Sequence, residues 1–242
     1  MGAGAGACPG SSCEPVRDAI ARPGERMDME HHKHTLVLVR HGQSEDNERE
    51  LFSGLRDPAL TPRGVEEASR AGTALRTLGY RFDAAFTSRL GRAQHTLALI
   101  LEGLGQSDLP VQADAALNER DYGALAGLNK TEARARFGVE QVRTWRKSYD
   151  AVPPGGESLA MTGARLWPFF ERTVAPRVHD GGCVLVVAHG NSLRSLLMRL
   201  DRIDPRHIED VNIGTAEILV YRSDAVSRTL TRAAAIAPKT QD

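Results

Sequence analysis

The sequence predicts an α/β fold: a mostly parallel central sheet with helices on both faces. Three observations point there. Apolar strand-like runs alternate with longer stretches of helical periodicity, the order that gives parallel strands joined by crossover helices. The runs at 35–39 (TLVLV) and 183–189 (CVLVVAH) are apolar nearly throughout, as in strands buried on both faces. The 242 residues are 41% hydrophobic and 26% charged, which is ordinary for a globular chain with one good-sized core.

The elements follow in order. Residues 1–33 are small, polar and rich in Pro and Gly, and read as a disordered extension without a secretory signal. Cys8 and Cys13 with His31, His32 and His34 fit no compact zinc spacing, so no metal site is expected. The main domain is expected over 34–225. After strand 35–39, a helix over 61–79 starts at Thr61 as N-cap with Pro62 in its first turn, and Gly79 stops it. A short strand covers 83–88 and a helix 91–104. Residues 117–159 are more polar, with short helical pieces and a Pro153–Gly156 loop. A helix over 158–178 carries Pro168 as a kink, strand 183–189 leads to a helix over 192–200, and a last strand covers 215–222. Residues 226–242 form a tail beyond the domain.

Bulk properties exclude several roles. Lys plus Arg and Asp plus Glu balance at 31 each, so no net field favours nucleic acid or a membrane surface. No apolar run approaches the roughly 20 residues of a membrane span. Three cysteines, an odd count without a dense framework, favour the cytoplasm.

The chemistry concentrates at two junctions. Residues 36–44 read LVLVRHGQS and 184–192 read VLVVAHGNS: an apolar strand, then His-Gly, then a polar residue and Ser. Ligands of open α/β sheets bind beyond the carboxyl ends of strands. His41 and His189 would face one another there if their strands are neighbours. Gly42 and Gly190 allow a sharp turn and a close ligand approach, and the helices that follow would offer free N–H groups to an anion. Arg40 supplies a planar fork suited to phosphate oxygens. Arg92, at a helix start after strand 83–88, can point at the same anion, with Arg89 its exposed competitor. Ser44 and Asn47 could add hydrogen bonds.

The segments LVRHGQS, TSRLGRAQHT, LNERDYGALAGLNK, WRKSYD and AHGNS, spanning about 35–221, resemble the histidine phosphatase superfamily. LNERDYGALAGLNK with WRKSYD is similar to its cofactor-dependent phosphoglycerate mutase branch. That resemblance implies a phosphoglycerate mutase-like fold and interconversion of 3-phosphoglycerate and 2-phosphoglycerate in glycolysis and gluconeogenesis. The reaction would be primed by 2,3-bisphosphoglycerate without a metal. It implies His41 as phosphate carrier, Arg40, Asn47, Arg92 and His189 around the transferred phosphoryl group, and Glu119 as proton donor and acceptor. Ser53, Gly54, Tyr122, Lys130, Arg146, Lys147 and Asn191 match positions that hold the substrate carboxylate and second phosphate. Partners would be small phosphoglycerates, with a dimer or tetramer of the chain itself. Lys147 stands where many relatives carry a second Arg, and the chain after Tyr149 lacks a long insertion found in many. A phosphomonoester hydrolase on the same scaffold is the alternative. Lys130, Arg146 and Lys147 argue against it. A non-catalytic anion-binding protein would need a missing catalytic residue, and none is missing.

Overall fold

The structure is a computed structural model that describes residues 32–237. Residues 1–31, with Cys8, Cys13 and His31, lie outside the described residues, as do 238–242. The elements are β1 (Thr35–Arg40), α1 (Glu45–Glu48), α2 (Pro62–Thr77), β2 (Ala84–Thr87), α3 (Gly91–Leu104), β3 (Val111–Ala113), α4 (Lys130–Phe137), α5 (Val139–Lys147), α6 (Leu159–Phe169), α7 (Ala175–His179), β4 (Cys183–Ala188), α8 (Gly190–Leu200), β5 (Ile218–Ser223) and β6 (Leu230–Ile236). Short 3-10 turns occur at Ala115–Leu117, Gly123–Leu125 and Pro205–Asp210.

One six-stranded sheet runs β3-β2-β4-β1-β5-β6. The pairs β1–β4, β2–β4 and β2–β3 are parallel, and β5 runs antiparallel to both β1 and β6. The apolar runs explain the layering. On β1, Leu36 and Leu38 face α6, α7 and α8, where Leu166, Val178, Leu193 and Leu197 meet them. Val37 and Val39 face α2 and α3, against Ala71, Leu75, Leu97 and Ile100. Burying each large aliphatic side chain contributes about 1.5–3 kcal/mol, so β1 and β4 are fixed from both sides.

Thr61 caps α2 by accepting from the Gly64 N–H at 3.1 Å, with Pro62 at the first position. The long helix over 158–178 is interrupted differently than expected. The break is a π-helical turn at Phe170–Val174, between Pro168 and Pro176. Pro176 has no N–H for the Arg172 carbonyl, and the preceding Ala175 N–H reaches back five residues to Phe170 O. Helix α8 begins at Gly190, two residues before the predicted start. The last predicted strand starts at Ile218 because Thr215–Glu217 form a turn with Ala216 at φ 53°. Leu230–Ile236 lies in the stretch read as a tail, yet it pairs along β5 as an edge strand. No helix among the described residues is long and apolar enough to cross a membrane.

Candidate active site

The parallel register of β1 and β4 pairs Arg40 with Ala188, so His41 and His189 leave the sheet side by side. Their ring centroids are 5.0 Å apart, and both rings are buried. His41 Nδ1 lies 2.7 Å from Gly42 O. A carbonyl only accepts, so Nδ1 carries the proton and Nε2 keeps its lone pair. Burial, then the Arg92 and Arg40 charges, push the His41 pKa well below its ordinary value. Burial, Arg92 and His41 do the same to His189. Both imidazoles are therefore neutral at physiological pH. His189 Nε2 is fixed by the Ser88 hydroxyl at 2.7 Å.

The turn after His41 is pressed against the start of α2. A Cβ on Gly42 would lie 2.3 Å from Gly64 O, so only glycine fits. Gln43 N–H donates to Glu67 Oε2 at 2.9 Å, which pins the same turn. Ser44 is not a ligand-facing group: its hydroxyl accepts from Asn47 N–H, and Asn47 Oδ1 accepts from Ser44 N–H, closing a capping box on α1. That bond occupies the Asn47 oxygen and leaves its NH₂ as the free end.

Two guanidinium groups flank the histidines. Arg92, at the start of α3, donates to Arg56 O at 2.6 Å and Gly54 O at 3.1 Å. Asp57 accepts from the Gly91 N–H at 2.7 Å and lies 3.5 Å from Arg92 Nη1, so it fixes both helix start and side chain. Arg40 donates to Ile213 O at 2.6 Å. In both arginines Nε is buried without a hydrogen-bond partner among the described residues. Burying such donors costs about 1–3 kcal/mol each unless something accepts from them, and a phosphoryl group between the two forks would do so.

Glu119 is 8% exposed. Its carboxylate accepts from the Arg120 N–H at 2.7 Å and the Asn191 N–H at 3.1 Å. The α8 N-terminus, expected to serve an external anion, is thus spent on the protein's own carboxylate, which it favours for the same dipolar reason. A Cβ on Gly190 would lie 3.6 Å from Arg40 Nε and 3.8 Å from Glu119 Oε2. Both side chains therefore share the wall beside Gly190, at ordinary contact distance from it.

Every residue to which the resemblance assigns a role, except His189, lines a single cavity of about 170 Å³, and the His189 ring lies beside His41, tilted 59° to it. That is below the roughly 300–1,000 Å³ of drug-sized pockets and suits a small ligand. Arg40, Arg92, Lys130, Arg146, Lys147 and Arg194 line it, against the single carboxylate of Glu119. Lys147 Nζ donates to Glu209 O at 3.0 Å and Asn212 Oδ1 at 2.9 Å, which holds the 209–213 segment at the cavity. Partial burial and then Arg194 and Arg146 lower its pKa. Tyr122 OH accepts from Asn191 Nδ2 at 3.3 Å, and the Arg120 guanidinium sits 4.6 Å from its ring centroid. Exposed Arg89 takes no part. Sequence reasoning missed Ser88, Arg194, Asn212 and Ile213. None of them carried a sequence signal; Arg194 is one of two arginines on α8. Among the described residues no group of His, Cys, Asp and Glu could hold a metal ion.

The family model described as histidine phosphatase superfamily (branch 1) matches residues 36–235. The chain belongs to this superfamily. Within it, the chain is 58% identical to a protein of Allorhizobium ampelinum named 2,3-bisphosphoglycerate-dependent phosphoglycerate mutase, over 80% of this chain and 92% of that one. A Brucella anthropi protein of the same name is also 58% identical, over 80% and 94%. Among solved structures, phosphoglycerate mutase from Bacillus anthracis aligns with a TM-score of 0.65 at 25% identity, covering 82% of this chain and 91% of that chain. A putative alpha-ribazole-5'-P phosphatase from Escherichia coli aligns with a TM-score of 0.70 at 28% identity, covering 82% and 94%.

Proposed function

We propose that this chain interconverts 3-phosphoglycerate and 2-phosphoglycerate through a phosphohistidine at His41, a step of glycolysis and gluconeogenesis. The carrying observation is the sorting of charge in one small cavity. Arg40 and Arg92, each with a buried and unpartnered Nε, flank the histidine pair, while Lys130, Arg146 and Lys147 supply further cations. Transfer of one phosphoryl group to water needs only the first set. A phosphorylated carboxylic acid held in two orientations needs both. The 58% identity to named mutases supports the same reading.

His41 Nε2, neutral and held by the Gly42 carbonyl, is the nucleophile. Phosphoryl transfer passes through a loose transition state, so the protein mainly positions and neutralises. Arg40, Arg92, His189 and the Asn47 amide do this around the moving group. Glu119 takes the proton of the hydroxyl that attacks the phosphoryl group on His41. It returns a proton to the oxygen released when His41 takes a phosphoryl group back. Its two backbone hydrogen bonds hold it for both tasks. The distal cations fit the second phosphate and the carboxylate of 2,3-bisphosphoglycerate. When bound, that molecule supplies the phosphoryl group that first charges His41.

The test measures isomerisation with and without catalytic 2,3-bisphosphoglycerate, beside release of free phosphate. Bisphosphate-dependent isomerisation exceeding phosphate release is expected. Phosphate release that dominates and ignores the bisphosphate overturns the proposal in favour of a hydrolase.

A further inference from the structure

Arg194 stands out because its buried guanidinium makes no ion pair among the described residues. It is 7% exposed, lines the cavity, and pairs with no carboxylate among the described residues. Burial and then the fully buried Arg120 act most strongly against its charge, with Arg146 adding to them, while Tyr122 and Glu119 offset part of that cost. A buried cation in such company is costly unless it serves something.

Its fork is aimed at three pieces of chain. Nη1 donates to Asn191 Oδ1 at 3.0 Å, one turn back on α8. Nη2 donates to Ile208 O at 2.6 Å in the Pro205–Asp210 turn, and lies 3.5 Å from the carbonyl of Lys147, the last residue of α5. Nε has no partner. The bond to Oδ1 decides the orientation of the Asn191 amide, so the NH₂ group faces Tyr122 OH and the cavity. The other two bonds hold in place the segments that carry Lys147, Asn212 and Ile213 to the cavity wall.

We propose that Arg194 is a positioning residue that confers preference for ligands carrying a carboxylate beside the phosphate. It acts by locking the Asn191 amide donor-side out and by holding the segments that carry Lys147 and Asn212 at the distal end of the cavity. This rests on the phosphoglycerate reading for the ligand, but not on turnover. The prediction is specific: loss of Arg194 weakens the grip on the carboxylate end and spares the phosphoryl end at His41.

The experiment compares equilibrium binding of 3-phosphoglycerate and glycerol 3-phosphate, which lacks the carboxylate, to the full chain and to Arg194→Met. The ratio of the two affinities should fall by about 10- to 100-fold in the variant, the range for a lost charge-assisted bond, while glycerol 3-phosphate affinity stays within about threefold. An unchanged ratio overturns the proposal. So does an equal loss for both ligands, which assigns Arg194 to the scaffold alone. If Arg194→Met does not fold, Arg194→Lys keeps the charge and loses the fork, and the same ratio should fall several-fold. No change there also overturns it. Failure of the mutase reading appears elsewhere, as phosphate release that dominates and ignores 2,3-bisphosphoglycerate in the unaltered chain.

Discussion

The buried histidine pair makes a strong statement about stability and pH. His41 and His189 are both held neutral, chiefly by burial, with Arg92 and Arg40 adding repulsion. In the unfolded chain each titrates near its ordinary value of about 6.5. Below that pH the unfolded state takes up protons that the folded state refuses, so stability falls as pH falls. Above it neither state binds the proton, and these residues add no pH dependence. In the window below about 6.5, and until each folded pKa is reached, the slope approaches about 1.4 kcal/mol per pH unit per histidine, or about 2.7 for the pair. Urea unfolding from about pH 7.5 to about pH 5 reads this directly. His41→Gln and His189→Gln should each remove about half of the pair's slope, whatever background the exposed histidines add. Wild-type stability that stays flat through the window, or variants that lose stability as steeply as wild type, would refute the account of the site as a desolvated neutral pair. The same shift keeps the His41 lone pair available through the neutral range, so the acid limb of activity should not reflect an ordinary histidine.

Other changes have equally definite outcomes. Glu119→Gln keeps an oxygen for the Asn191 and Arg120 N–H groups but cannot move protons; turnover should fall by about 10²–10⁴-fold with an unchanged thermal midpoint. Gly42→Ala drives a Cβ into Gly64 O, and should cost about 1–3 kcal/mol in urea unfolding together with most of the activity, since His41 moves with the turn. Helices α4 and α5 pack on a small cluster of Phe52, Leu125, Ala133 and Val142, separate from the two sheet cores. Their amides should exchange with deuterium faster than those of β1 and β4, and 3-phosphoglycerate should slow them.

The sheet and the two His-Gly junctions were legible because their signals are local. An apolar run that stops at a polar pair needs no partner to be recognised. The register was not local. Arg40 and Ala188 are neighbours only because β4 sits between β1 and β2, an order that a linear pattern leaves open. The edge strands were missed for a related reason. Val111–Ala113 is exposed throughout and Leu230–Ile236 nearly so, so burial left no apolar pattern and the strands exist through their neighbour's hydrogen bonds. Arg194 reads in sequence as one more helix charge, and its burial follows from where α5 and the 205–210 turn end. The α8 N-terminus shows the opposite case. Its tendency to hold an anion was correctly read, but the anion is Glu119, from 72 residues earlier in the chain.

These observations divide the site into two halves with different mechanical support. His41 and His189 stand at the ends of β1 and β4, strands clamped between cores on both faces, and Arg92 at the start of α3, which packs on one of those cores. Phosphoryl transfer loses rate steeply with misplacement of about 1 Å, so this half belongs on the stiffest part of the fold. Lys130, Arg146, Lys147 and Asn212 come instead from α4, α5 and a loop, where α4 and α5 pack on their own small cluster and the hydrogen bonds of Arg194 and Lys147 tie α5 and the 208–212 segment to α8. A ligand that must turn end for end between transfers needs a fixed reaction point and a looser outer grip.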